Sequence, residues 1–226
     1  MEEHQIRFTG EMVRAILDGR KTQTRRPIKV QPSCSKLNQI CTMLDSPHKH
    51  CWGNGNVSHF ESDNVYFLCP FGIVGDRLWV RETFLPKASG IIYRADLDPV
   101  ESAGIKGLYG GWKPSIHMPR SDSRITLEIT NIRVERIQDI SEKDAIAEGV
   151  SDYSQSFKVL DSDAMLNKWA RYSCVVAHQR NEDRPAVATD VGAYAMMWDS
   201  MYEYKGFEWS ANPWVWVIEF EIIADK

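Results

Sequence analysis

Ile125-Thr126-Leu127-Glu128-Ile129-Thr130 alternates apolar and polar residues without a break, and the fold is read outward from it. An extended chain puts Ile125, Leu127 and Ile129 on one side and Thr126, Glu128 and Thr130 on the other, the pattern of a half-buried antiparallel strand. Arg133 to Ile137 continues it. Pro213 to Ile223 is so rich in aromatic and β-branched residues that it predicts a second long strand. Arg77 to Phe84 predicts a third, with Leu78, Val80 and Phe84 on one face and Glu82 placed among them. Val65 to Cys69 and Ile91 to Ala95 are shorter candidates. Short antiparallel strands with brief helices between them favour a small closed barrel, because closure removes exposed sheet edges.

The helices are marked by their ends. Thr9 can cap a helix whose apolar face is Met12, Val13, Ile16 and Leu17, Phe8 can staple onto Val13, and Gly19 stops it. Ser141-Glu142-Lys143-Asp144 starts another in the manner of a capping box, and Gly149 ends it. Two more are expected over 161–172 and 190–202. Arg20 to Arg26 is too polar for a core strand and reads as a loop or an edge strand. The expected architecture is α+β, one domain over 1–226, with insertions at about 27–74, 85–123 and 151–212 carried on the loops of the barrel.

Composition bounds the function. The 226 residues are 43% hydrophobic and 26% charged, which excludes a disordered, collagenous or coiled-coil chain. No apolar run is long enough to cross a bilayer, and the first residues lack the order of a secretory signal, so a cytoplasmic protein with no membrane partner is expected. The net charge of -4 conceals a basic corner, since Met12 to Val30 holds Arg14, Arg20, Lys21, Arg25, Arg26 and Lys29 against Asp18 alone. Such a corner is either a site for a phosphate, a nucleotide or a short stretch of nucleic acid, or a solvated charged face. Cys34, Cys41, Cys51 and Cys69, with His48, His50 and His59, invite a zinc reading, but paired Cys-x2-Cys knuckles are absent. No metal or other cofactor is expected. Cys174 reads as a buried hydrophobe.

The densest chemical candidate is Gly19-Arg20-Lys21-Thr22-Gln23-Thr24-Arg25-Arg26. A lysine three residues before a threonine can set an amine beside a hydroxyl, and an amine of lowered pKa can take that hydroxyl's proton. Ile6, Phe8, Ile16-Leu17, Gly19-Arg20-Lys21-Thr22, Thr24 and Arg26 resemble the opening of the ASCH-domain family, whose fold is a PUA-like β-barrel. The broad family pattern Gly-x-Lys-x-x-Glu-x-Arg is matched at Gly19, Lys21 and Arg26. It is broken at Thr24, where the small bacterial ASCH proteins that hydrolyse N4-acetylcytidine also carry threonine. Gly75-Asp76-x-Leu78-x-Val80, Ile125 to Thr130, Ser141-Glu142-Lys143 through Glu148, and Val217-Ile218-Glu219-Phe220 extend the resemblance. The insertions and the helices between Val150 and Pro213 lie outside it, and that larger layout resembles ASCH proteins encoded by phages and prophages.

The resemblance implies an amidohydrolase with Lys21, Thr24 and Glu148 as catalytic residues and an N-acylated nucleoside as substrate. A carboxylate at Glu148, in the last turn of its helix, sits at the negative end of the dipole, which disfavours its charged form. Arg20, Arg26, Trp79, Arg81 and Glu82 are the candidate substrate-binding residues: the arginines for a phosphate, a carboxylate or a base edge, Trp79 for stacking, and Glu82 for pairing with Arg26 or Arg81 or lining the pocket. The alternatives are a non-catalytic reader of single-stranded RNA or a modified base, using Arg20, Arg25 or Arg26, and a ribonuclease. No protein partner is expected.

Overall fold

The structure, a computed structural model, describes residues 1–29, 31, 39–43, 46–53, 66–98, 101, 111–150 and 189–223. The protein is a mixed α+β fold with a sheet-rich core and few helices. Five strands, β1 (Glu3–Arg7), β2 (Gln23–Pro27), β6 (Arg77–Arg81), β9 (Thr126–Arg136) and β10 (Trp214–Ile223), form the main sheet in the order β1-β6-β9-β10-β2. β1 runs parallel to β6 and every other pairing is antiparallel. A second sheet joins β3 (Gln39–Met43), β4 (Ser46–Gly53) and β5 (Tyr66–Leu68), and β7 (Phe84–Lys87) with β8 (Gly90–Tyr93) makes a hairpin. Three α-helices are described: α1 (Gly10–Leu17), α2 (Glu142–Ala147) and α3 (Asp190–Tyr202).

The alternation that opens the reading of β9 is real, and it changes phase. Ile125, Leu127 and Ile129 are buried, but beyond them the apolar residues are Ile132 and Val134, one register out of step. A bulge absorbs the slip. Asn131 pairs with Glu219 and Ile129 with Phe220, so Thr130 is the extra residue and the apolar face stays continuous across it. On the β10 side of that bulge one face carries Trp216 and Ile218, and the other carries Val215, Val217 and Glu219.

The edges are β1 and β2. Among the described residues no backbone ladder joins them, yet the Arg26 guanidinium on β2 donates to the carbonyl of Arg7 on β1 at 2.6 Å. The sheet therefore curls until its edges lie one side chain apart. The predicted strand from Arg77 to Phe84 is two strands instead. β6 ends at Arg81, Phe84 pairs with Tyr93 in the hairpin, and Glu82 between them accepts from Arg124. Residues 20–26, expected to be a loop or an edge strand, supply edge strand β2, and its first three residues are buried. Leu17, expected on the apolar face of α1, is 45% exposed at the helix end, and Ala15 is buried in that face instead. The helix expected over 161–172, and Cys174, lie outside the described residues. No described helix is long and apolar enough to cross a membrane.

Asp76 latches the N-terminal strand to the sheet. Its carboxylate accepts from the Glu2 amide at 2.7 Å and from the Ile73 amide at 3.1 Å, and its own carbonyl accepts from Ile129. Those amides, Glu2's first, hold the carboxyl below the usual aspartate range. Its stabilising effect is complete above the unfolded-state aspartate pKa of about 4 and is lost as the pH falls through the lower native value. Asp76→Asn is expected to cost about 1–2 kcal/mol at neutral pH. Unfolding free energies measured from pH 7 down to 3 check this: the difference between the two proteins should shrink over the acid end of that range.

Candidate functional site

Two helix ends create the site. α1 closes in a Schellman motif, with the Gly19 amide bonded to Ile16 and the Arg20 amide to Ala15, around a left-handed Gly19 at φ 71°. The Lys21 amide also bonds to Ala15, so the chain leaves the helix with Lys21 turned against it. α2 is capped by the Ser141 hydroxyl, which accepts from the Asp144 amide at 3.1 Å, and ends at Glu148 followed by a left-handed Gly149 at φ 83°. The Thr22 amide reaches the carbonyl of Ala147, tying the two helix ends together.

Lys21 and Glu148 meet there, buried from water. The Lys21 ammonium donates to Oε2 of Glu148 at 2.7 Å and to the backbone carbonyl of the same residue at 2.9 Å. Burial pulls the amine below the ordinary lysine range, and the adjacent carboxylate offsets that only in part. Oε1 of Glu148 accepts from Arg25 at 3.3 Å, and Arg25 also pairs with Glu135 at 3.1 Å and Asp144 at 3.4 Å. Arg133 joins Glu135, Asp144 and Glu219 in the same network. This polar layer lies between α2 and the face of the sheet that carries Gln23 and Arg25. Tyr194 of α3 is buried beside it, and burial raises its phenol well above the ordinary tyrosine range.

Thr24 is buried on β2 opposite Ile218. Strand alternation points it to the face opposite Arg25. Among the described residues no hydrogen bond joins its hydroxyl to Lys21 or Glu148. Arg26, on the Thr24 face, lies with its guanidinium 5.2 Å from the centre of the Phe8 ring, and the Lys21 ammonium is 5.7 Å from the same ring. Phe8 thus neighbours both Lys21, just ahead of β2, and Arg26 on it.

The remaining predicted residues sit apart from the Lys21–Glu148 pair. Arg20 pairs with Asp18 at 2.7 Å on the surface. Arg81 donates to the carbonyls of Ser115 and Ile116 and to Gln5, anchoring the turn at 115–117, and stacks 5.4 Å from the Trp79 ring. Glu82 is buried and pairs not with Arg26 or Arg81 but with Arg124, at 2.9 Å; Arg124 also holds Asp96 and lies 4.0 Å from the Tyr93 ring. Burial raises the Glu82 carboxyl, and Arg124 opposes the shift. The basic corner therefore does not form one patch: Lys21 and Arg25 are buried, and Arg14, Arg20 and Arg26 each bind groups of this chain.

Two cavities flank the first turn of α1. One, of about 380 Å3, is lined by Phe8, Arg14, Thr83, Arg94 and Ser115. The other, of about 250 Å3, has Met12, Glu148, Gly149, Met197 and Met201 in its wall. Thr9 and Glu11 border both. Of the predicted site residues only Glu148 lines either cavity. No group of three His, Cys, Asp or Glu side chains among the described residues could hold a metal ion. Cys34 and His59 lie outside those residues, and Cys41, Cys51, His48 and His50 fall on β3 and β4. The Cys69 thiol is pushed up to about 12 by burial, which leaves it protonated at neutral pH.

Sequence reasoning missed Arg25, Asp144, Glu135, Gly149 and Tyr194 as parts of this arrangement. A readable signal existed for the first and third: Arg25 alternates with Thr24 as a strand demands, and Arg133-x-Glu135 puts two charges on one face of β9. Gly149 is required by close approach. A Cβ there would lie 2.9 Å from the Cβ of Ala15 and 3.2 Å from that of Lys21, on a backbone that side chains rarely adopt. Gly149→Ala is expected to destabilise the protein by about 2 kcal/mol or more, and adding Ala15→Gly should restore only the steric part of the loss. Thermal unfolding of the single and double variants measures both.

No family model matches this chain, and neither a curated protein nor a solved structure matches it.

Proposed function

We propose that the protein is an amidohydrolase that removes the acyl group from an N-acylated nucleoside such as N4-acetylcytidine, on a PUA-like barrel of which the five-stranded sheet is the core. The observation that carries the reading is the buried pair of Lys21 and Glu148, brought to 2.7 Å from opposite parts of the chain. A lysine whose proton is loosened by burial is a competent general base, and a carboxylate beside it is a proton relay. Lys21 passes one proton to Glu148 and, as the neutral amine, takes another from a water as that oxygen bonds to the acyl carbon. The carbon–nitrogen bond then breaks, and Glu148 relays the proton to the departing N4 nitrogen. With water as the attacking oxygen the products are the carboxylate and cytidine in one step.

The opening beside Glu148 supports this reading, because its wall includes one member of the pair. The arginines that an RNA reader or a ribonuclease would need are engaged elsewhere, with Arg25 buried against Glu148 and Arg26 bonded to Arg7.

The test is release of cytidine from N4-acetylcytidine by the purified protein. Lys21→Met and Glu148→Gln are each expected to lower kcat/KM by about 100- to 10,000-fold, the usual range for an acid–base group, and Thr24→Val, on the other face of β2, is expected to keep activity. Because a broken buried ion pair costs about 3–5 kcal/mol, each variant is assayed well below its own Tm. Inactivity of the wild type across a panel of N-acylated nucleosides rejects the reading.

A further inference from the structure

The cavity beside Glu148 is built unlike a nucleoside pocket. Apart from Glu148, its polar members, Thr9, Glu11 and Ser200, are exposed, whereas Met12 and Met197 are buried and Met201 is half-buried. Glu148, which is buried, and Gly149, which is half-buried, complete its wall. A nucleobase edge carries donors and acceptors that would be stranded among thioethers and methylenes. An aliphatic chain would not. At about 250 Å3 the space also falls below the usual size of a pocket that swallows a whole drug-sized ligand, so it suits part of a substrate. Methionine walls adapt to irregular apolar shapes, and two of these three come from α3, which lies in the 151–212 insertion.

We propose that this cavity is the acyl chamber of the same site, that the protein favours N-acyl groups longer than acetyl, and that Met197 and Met201 set the chain length. The inference rests on the amidohydrolase reading. The scissile carbonyl stays at Lys21 and Glu148, the acyl tail enters the methionine-lined space, and the nucleoside remains towards the polar rim. The overall step is hydrolysis: a carbon–oxygen bond forms from water, the amide carbon–nitrogen bond breaks, and the nitrogen leaves with a proton as cytidine.

The experiment measures kcat/KM for N4-acetyl-, N4-butanoyl- and N4-hexanoylcytidine. Each added methylene that enters the chamber should raise it by about fourfold until the space is filled. Met201→Trp, which adds bulk at a half-buried position, should abolish the gain for longer chains relative to acetyl. Met197→Ala should move the optimum to a longer chain, and it decides the matter if the tryptophan variant does not fold. A wild-type optimum at acetyl with a profile that neither folded variant moves overturns the chamber and leaves the amidohydrolase standing. No cleavage of any acylcytidine overturns both.

Discussion

Two opposite charges taken out of water hold the centre of this protein together. Lys21 and Glu148 each lose the hydration they have in the unfolded chain, and that loss is recovered only if the partner and further hydrogen bonds stand in the right places. The structure supplies them. Glu148 gives Lys21 both a carboxylate oxygen and a backbone carbonyl, and Arg25 takes the other carboxylate oxygen. The ammonium also lies at the C-terminal end of α2, where a positive charge is favoured. Glu148 alone would be penalised by that same helix end, so the cation offsets the burial and the dipole at once.

The constraint spreads outward. Lys21 reaches Glu148 because α1 ends in a glycine-driven turn, and α2 comes close enough because Gly149 has no side chain to meet Ala15. Arg25 must stay on the α2 side of β2, which fixes the register of that strand against β10, and Thr24 is thereby sent to the other face. One ion pair thus couples two helix ends and a strand register, and α3 closes over the helix side through Tyr194 and its methionines.

Much of this was legible in the sequence, and the failures share a cause. The caps at Thr9 and Ser141, the stops at Gly19 and Gly149, and the long strands β9 and β10 declare themselves through local rules that need no knowledge of the rest of the chain. The phase change after Ile129 was also on view, since the apolar residues move from odd to even positions, but only a partner strand reveals it as a bulge at Thr130. β2 could be read no further than a loop or an edge strand because hydropathy takes Lys21, Gln23 and Arg25 for surface residues. Their burial depends on carboxylates more than a hundred positions away. For the same reason Arg81 and Glu82 read as open to a ligand, while in the fold Arg81 holds the turn at Ser115 and Glu82 faces Arg124.

The strand order carries a kinetic implication. β1 waits for β6, and among the described residues β2 is laddered to β10 alone, the last strand described. β2 therefore cannot complete its pairing until β10 has been made, and contacts so distant along the chain slow folding. Until β10 arrives, the lysine and arginine of the nascent N-terminal segment remain hydrated and exposed. The ionic centre is thus among the last features to assemble, and a chain stalled before β10 would be held as an incomplete sheet vulnerable to proteases and to its neighbours.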